Sequence, residues 1–298
     1  MLLNIANAPC SWGVDFADAP ANPPWERVLR EIAEAGFRAT ELGPLGYLPT
    51  KPQQLADALG HFELRVIAGT LFRPFESRAE RKMTLQITRD CCALLSQIGG
   101  SYLVVIDAFS EERLVTAGQS GRARRLDDAE WQTLIRTIRE ASQLAVEEYN
   151  VTPVLHSHVG TYLEFDDELR RALDELPAEL VKLCIDTGHF TYAGMSPQHW
   201  IRTHGDRLAF MHLKDVDKQQ LARVQSERLD FRTAIADGVF CPLGTGRVDF
   251  KAIRDSLAAI KYDGWAVVEQ DCDPRAGPDP LRDARESLAF LRQAGLAA

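Results

Sequence analysis

The chain has 298 residues, 45% hydrophobic and 26% charged, and its 43 acidic and 34 basic residues give a formal net charge of −9. A chain of this length and ordinary composition buries a large core without disulfides or structural metals. The acidic balance argues against a nucleic-acid partner, because phosphate neutralisation requires clustered Lys and Arg. No apolar run approaches the length of a membrane helix, so we expect no membrane partner.

The N-terminal segment and the cysteines indicate a cytoplasmic protein. The segment Met1–Asn7 lacks the basic region and the long apolar stretch of a secretory signal. The six cysteines include no CxxC pair, which favours reduced thiols and argues against a zinc–cysteine site. We therefore expect a cytoplasmic protein that acts on a small molecule.

Eight short apolar runs recur along the chain, mostly without strict polar alternation. Continuous apolar strands are typical of parallel sheets, which are buried on both faces. The predicted strands are Leu3–Ala8, Ala39–Leu42, Leu64–Ala68, Tyr102–Ile106, Thr152–Leu155, Val181–Ile185, Leu208–Leu213 and Trp265–Val268.

Amphipathic stretches with helical periodicity separate these runs. The predicted helices are Trp25–Ala35, Pro52–Leu59, Arg81–Ile98, Asp128–Glu148, Asp166–Glu175, Pro197–Thr203, Phe250–Ile260 and Pro280–Leu291. Eight strands alternating with eight helices predict an α/β fold, a (β/α)8 TIM barrel that forms a single domain over residues 1–298. A doubly wound sheet is the alternative, but no GxGxxG follows the first strand.

Two connections are longer than packing requires, Phe109–Asp127 and Lys214–Asp249. Loops of this size are usually functional lids or carry small extra elements. Both leave the C-terminal ends of strands, where the active sites of barrels form. We therefore expect the active site beneath these two connections.

Polar side chains follow several strands and converge on that same end of the barrel. His156, Asp186, His212 and Glu269 come from four successive strands. Imidazole and carboxylate ligands suit a divalent metal, with Mn²⁺ or Co²⁺ favoured and Zn²⁺, Fe²⁺ or Mg²⁺ also possible. His158 is the rival to His156, because residues i and i+2 of a strand share a face.

Other polar residues at the same strand ends have open roles. Lys214 follows His212 by two residues, so it should face the mouth and hold a substrate oxygen or pair with Asp186 or Asp215. His189 either supports the ligands or faces the substrate. Each is also a candidate acid for catalysis.

Three further residues are candidates for substrate binding. Glu41 either supports a metal ligand or binds a substrate hydroxyl. Trp12 is either an apolar wall for a sugar ring or a core residue. Arg247 lies in the glycine-rich stretch Cys241–Asp249, whose backbone amides either hold a phosphate or hydroxyl or simply shape a loop.

At these residues the sequence resembles the xylose-isomerase-like barrel superfamily of sugar isomerases and epimerases. Within it the sequence is most similar to the inosose dehydratases, which act on 2-keto-myo-inositol. The resemblance covers almost the whole chain. Its motifs are Ala8-Pro-Cys-Ser-Trp-Gly13, Ala39-Thr-Glu-Leu-Gly43, His156-Ser-His-Val-Gly-Thr-Tyr162, Asp186-Thr-Gly-His189, His212-Leu-Lys-Asp-Val216, Pro242-Leu-Gly-Thr-Gly246 and Glu269-Gln-Asp271.

The resemblance implies a ligand set and a reaction class. The epimerases of the superfamily hold a divalent metal with a Glu–Asp–His–Glu set, which implies Asp186, His212 and Glu269 here, with His156 in place of the first Glu. That Glu is also one of the two acid–base groups of an epimerase, so its loss favours the dehydratase branch. Glu269 or a histidine of the His156/His158 pair is then the base.

Three alternatives remain. One is a metal-dependent ketose epimerase or aldose–ketose isomerase, which shares the enediolate half of the reaction. A second is a nuclease like the AP endonucleases of the superfamily, disfavoured by the net charge and the short ligand set. A third is a sugar-binding barrel without activity. By resemblance, we also expect a homo-oligomer.

Overall fold

Eight parallel strands close into a barrel in the computed structural model, which describes residues 2–277 and 279–298. The first strand pairs with the last, which closes the ring. The fold class predicted from the sequence is confirmed. The barrel strands are β1 (Asn4–Asn7), β2 (Ala39–Pro44), β3 (Arg65–Arg73), β4 (Tyr102–Asp107), β5 (Thr152–His156), β6 (Lys182–Asp186), β7 (Leu208–Leu213) and β10 (Trp265–Val268).

Helices surround the barrel and join its strands. Neighbouring helices pack on one another around the ring. The helices are α1 (Trp25–Ala35), α2 (Pro52–His61), α3 (Arg81–Ile98), α4 (Glu111–Leu114), α5 (Asp128–Tyr149), α6 (Asp166–Glu175), α7 (Thr187–Tyr192), α8 (Pro197–Thr203), α9 (Lys218–Glu227), α10 (Phe231–Ala236), α11 (Phe250–Ala259) and α12 (Pro280–Gln293).

The apolar strands bury side chains on both of their faces, as their composition predicts. One set fills the barrel interior and includes Ala6, Val104 and Val267. A larger set lies between the barrel and the helices and includes Leu103 and Ile185. The interior is therefore packed, and the polar strand ends can gather only at the C-terminal mouth.

Two elements differ from the sequence prediction. β3 continues to Arg73 rather than ending at Ala68, because it stays paired with β4 as far as Asp107. The short helix α7 begins directly after β6, where none was predicted. The Asp186 side chain caps it by accepting the backbone N–H groups of Gly188 and His189.

The two long connections carry small elements and pack against each other over the mouth. The first holds α4, and the second holds α9, α10 and an antiparallel pair of strands, β8 (Asp215–Val216) and β9 (Phe240–Cys241). Their apolar side chains, together with Val159 from the loop after β5 and Tyr192 from α7, form a separate buried cluster, here called the roof cluster. It consists of Leu114, Ala117, Val159, Tyr192, Val216, Leu221, Val224, Phe231, Ala234, Val239 and Phe240.

Across residues 2–277 and 279–298, the structure contains no helix that is both long enough and apolar enough to cross a membrane.

Candidate active site

A cavity of about 250 Å³ opens at the C-terminal mouth of the barrel. Its wall is polar where β5, β7 and β10 end. On the other side it is apolar, with Phe16, Phe72 and Phe109 contributed by the loops and strands of the first half of the chain. Six of the residues singled out in the sequence line it: Glu41, His156, His158, His212, Lys214 and Glu269.

The four predicted metal ligands converge at the floor of this cavity. His156 Nε2 lies 3.5 Å from Asp186 Oδ2, and His212 Nδ1 lies 3.8 Å from the same oxygen. His212 Nδ1 is also 3.1 Å from Glu269 Oε2. Strand register explains the approach, because Asp186 and His212 are paired across β6 and β7.

Glu41 fixes the orientation of the His212 ring. His212 Nε2 donates to Glu41 Oε1 across 3.0 Å, with both side chains buried. This bond turns Nδ1 toward Asp186 and Glu269, the orientation that a carboxylate gives to a metal-binding histidine. Glu41 therefore lies where a supporting partner of a ligand is expected.

Lys214 brings a buried cation into the same cluster. Its Nζ lies 2.8 Å from Asp271 Oδ1, 3.2 Å from Glu269 Oε2 and 3.3 Å from Asp186 Oδ2. It is also 3.0 Å from His189 Nε2. Of the two sequence alternatives for pairing, the structure thus brings Lys214 to Asp186 and not to Asp215.

The electrostatics of the cluster set the charge on each group. Burial disfavours the ammonium form of Lys214, but the surrounding carboxylates outweigh it and hold its pKa well above the usual value. Burial also opposes ionisation of Glu269, yet His212 and Lys214 outweigh it and lower the pKa of this carboxyl. At neutral pH Lys214 is therefore cationic and Glu269 anionic.

The two histidines above the floor are held neutral. Burial, His156 and Lys214 lower the pKa of His158 to about 3. Burial and the neighbouring His158 and Lys214 lower the pKa of His189 well below its usual value. The two rings lie against each other with centroids 3.7 Å apart. Both imidazoles are therefore uncharged at neutral pH, and His189 Nε2 is placed to accept from the Lys214 ammonium group.

The loop that follows β5 holds His158 in place. His158 Nδ1 lies 2.8 Å from the Val159 carbonyl oxygen, and the His158 backbone N–H donates to the carbonyl of Leu163. In the same loop, Glu164 accepts the Gly160 N–H and pairs with the fully buried Arg113 from the first long connection. The roof and the His158 loop are thus tied together.

Trp12 and Arg247 lie outside the cavity, which corrects their assignment to substrate binding. Trp12 is buried in the core behind the barrel wall, where its indole N–H donates to Glu31 across 2.7 Å. Arg247 is exposed on the glycine-rich turn. The amides of that turn at Gly244 and Gly246 donate to the buried Asp215 carboxylate instead of to a ligand.

Sequence reasoning assigned no role to several cavity residues. Asp271 follows Glu269 by two residues, so the strand periodicity that placed Lys214 beside His212 would also have found it. Arg73 lines the cavity only because β3 is longer than its apolar run indicates. Cys10 lies in a motif of the resemblance that implied no role for it, and the aromatic wall carries no recognisable motif.

Comparison with known proteins agrees with the barrel fold. The profile of the xylose isomerase-like TIM barrel family matches residues 29–294. The chain belongs to this family. The inosose dehydratase of Geobacillus kaustophilus (strain HTA426) is 32% identical over 275 residues, which cover 91% of this xylose isomerase-like barrel and 88% of the relative.

Solved structures share the fold of this xylose isomerase-like barrel. The D-allulose 3-epimerase of Methylomonas sp. aligns with a TM-score of 0.70 at 19% identity, covering 98% of each chain. The IOLI protein, solved with a binding zinc atom, aligns with a TM-score of 0.71 at 14% identity, covering 98% of each chain. At these identities the likeness shows the fold alone.

The residues present fit a divalent metal. Asp186 Oδ2 and His212 Nδ1 are buried and make no hydrogen bond within the described part of the chain. They point toward each other and toward His156 and Glu269. Two imidazoles and two carboxylates form a donor set suited to Mn²⁺, Co²⁺, Fe²⁺ or Zn²⁺.

Proposed function

We propose that this protein is a metal-dependent dehydratase that acts on a cyclic polyol ketone such as 2-keto-myo-inositol. The observation that carries the proposal is the presence of a base and an acid in the wall of one cavity. A neutral imidazole, His158, and a buried ammonium group, Lys214, both line it. Loss of water from a ketone needs both a base and an acid, and these two groups supply them.

The base acts on the C–H bond beside the ketone. His158 is neutral at physiological pH because its pKa is lowered to about 3. With Nδ1 bound to the Val159 carbonyl, the other ring nitrogen accepts the proton. The electrons of the C–H bond then move toward the ketone carbon and leave an enolate.

The acid acts on the departing hydroxyl. Lys214 Nζ donates a proton to the β-oxygen as its bond to carbon breaks, so that the group leaves as water. Asp271 and His189 hold Nζ in position, at 2.8 Å and 3.0 Å.

His156, Asp186, His212 and Glu269 would hold the metal, with Mn²⁺ or Co²⁺ preferred. When bound, a divalent ion acts as a Lewis acid that stabilises negative charge on the ketone oxygen. The zinc in the structurally similar IOLI protein supports a metal in this fold. The identity to an inosose dehydratase over 91% of the chain supports the choice of substrate.

A ketose epimerase or isomerase is the second candidate. It is favoured by the carboxylates Glu41 and Glu269, which lie on either side of His212. Epimerisation by these two carboxylates would need Glu41 to reach the substrate, but Glu41 is engaged by the His212 ring. The structure of the cavity therefore supports elimination better than epimerisation.

The product separates the two candidates. The metal-loaded protein is incubated with 2-keto-myo-inositol, and the mixture is followed by mass spectrometry and proton NMR. A product lighter by one water, with the spectrum of a cyclic dione, is expected. A stereoisomer of unchanged mass would instead identify an epimerase, and unchanged substrate with both cyclic and open-chain ketoses would contradict both candidates.

A further inference from the structure

A second group of ligand-type side chains lies beside the proposed metal ligands. His158, His189 and Asp271 each place a nitrogen or oxygen within 4.8 Å of the others. His189 Nδ1 and Asp271 Oδ2 are buried and without a hydrogen bond among the residues described. Such a set of two neutral imidazoles and a carboxylate is suited to a second divalent cation.

The ammonium group of Lys214 already lies in contact with this set. Its Nζ is 2.8 Å from Asp271 Oδ1 and 3.0 Å from His189 Nε2. It also reaches Glu269 and Asp186, which belong to the proposed metal ligands. Lys214 therefore lies between the two groups of ligand-type side chains, and its ammonium group donates to acceptors of both.

The fold holds Lys214 at this point. Its backbone N–H donates to Thr187 Oγ1 at 2.9 Å, and the Thr187 hydroxyl donates to the Lys214 carbonyl at 2.7 Å. Gly188 leaves room for the side chain, because a Cβ there would lie 2.6–2.9 Å from three Lys214 carbons. Two hydrogen bonds to Thr187 therefore fix the backbone of the lysine, and its side chain packs against Gly188.

Charge explains why a lysine suits this place. Four buried carboxylates, Glu41, Asp186, Glu269 and Asp271, surround the two groups. One divalent ion and one ammonium group together balance most of the negative charge that these carboxylates can carry. A second divalent ion added while the ammonium remains would instead place like charges in contact.

We propose that Lys214 occupies the position of a second metal ion and so keeps this centre mononuclear. A neutral side chain at position 214 would open a cation site formed by His158, His189 and Asp271. The inference rests on the proposed function only for the first ion, which His156, Asp186, His212 and Glu269 would hold. With a single ion in the centre, a proton donor, Lys214, lies beside the departing hydroxyl where a second metal ion would otherwise lie.

Metal content tests the proposal without an activity assay. The full chain is loaded with Mn²⁺, freed of loose metal by gel filtration, and analysed for manganese per chain. We expect one ion in the native protein, two in Lys214→Met, and one in Lys214→Arg, which keeps the charge. The double variant Lys214→Met/Asp271→Asn should return to one ion, because the second site then loses its carboxylate.

Other outcomes overturn the proposal. Two ions in the native protein, or no more ions in Lys214→Met than in the native protein, would contradict it. A native protein that binds no ion would contradict the proposed function. Even then, an ion that binds to Lys214→Met and is lost in Lys214→Met/Asp271→Asn would support the second site. Should Lys214→Met fail to fold, Lys214→Gln provides the same test, since its side chain is also uncharged. No gain of an ion over the native protein in that variant overturns the proposal equally.

Discussion

His212 and Glu41 form a buried pair across the barrel mouth, with His212 Nε2 3.0 Å from Glu41 Oε1. The contact joins β7 to β2, on different sides of the ring. Its effect is to direct the other ring nitrogen, Nδ1, at Asp186 and Glu269. Glu41 thereby orients a ligand of the proposed metal site.

Glu41→Ala should weaken metal binding, because the His212 ring would lose the partner that orients it. We expect the affinity for Mn²⁺ to fall by roughly 10–100-fold, the usual effect of removing a partner of a ligand. Competition against a chromophoric chelator measures this. The exposed Glu179→Ala is the control, and equal affinities in the two variants would show that Glu41 has no orienting role.

Lys214→Met should separate the two halves of the reaction. With the acid removed, loss of water should slow by roughly 10²–10⁴-fold. Exchange of the substrate proton beside the ketone with D₂O should persist, because the base remains. NMR follows both processes with metal supplied at one equivalent, and a parallel loss of exchange and elimination would argue against Lys214 as the acid.

His158→Asn should abolish both processes together. The base removes the proton that precedes every later event, so neither deuterium exchange nor loss of water should proceed at more than a small fraction of the native rate. His199→Asn is the matched control, since this histidine is exposed and far from the cavity. Retained exchange in His158→Asn would move the role of base to Glu269.

The sequence predicts the ligand set because parallel strands bring their C-terminal ends to one mouth. His156, Asp186, His212 and Glu269 each follow an apolar run, so their convergence needs only the barrel topology. The same logic explains Lys214, which shares a face with His212. These residues are predictable because the barrel topology and the periodicity of the strands together position them.

Contacts made by loops escape that logic. Trp12 and Arg247 lie in connections whose course depends on tertiary packing, and both turn away from the cavity. The glycine-rich turn suggests an anion site, but an internal carboxylate, Asp215, takes its amides. The roof cluster likewise joins two connections that lie about a hundred residues apart in the chain, which no local pattern reveals.

Glu164 should make stability fall as pH rises. Burial raises its pKa from 4.5 to about 7, against the opposing effect of Arg113. The folded state thus favours the protonated form, and this stabilisation, present below the unfolded pKa, is lost as pH rises through about 7. Relative to Glu164→Gln, the native free energy of unfolding should fall by roughly 2–3 kcal/mol between about pH 5 and about pH 8.

Urea unfolding of both proteins across this range provides the measurement, and the difference between them removes the contribution of other titrating groups. Glu179→Gln, at an exposed position, should follow the native curve at every pH. If the free energies of unfolding of the native protein and Glu164→Gln differed by the same amount at every pH, Glu164 would be ionised to the same extent in the folded and unfolded states.

Metal-dependent loss of water from 2-keto-myo-inositol tests the account most directly. The protein is stripped with a chelator, Mn²⁺ or Co²⁺ is restored, and the ultraviolet absorbance of the conjugated enol form of the dione is followed. We predict that absorbance grows only with metal, and not in His212→Ala or Glu269→Ala. Equal growth in the stripped protein, or a folded protein that retains no divalent metal, would contradict the account.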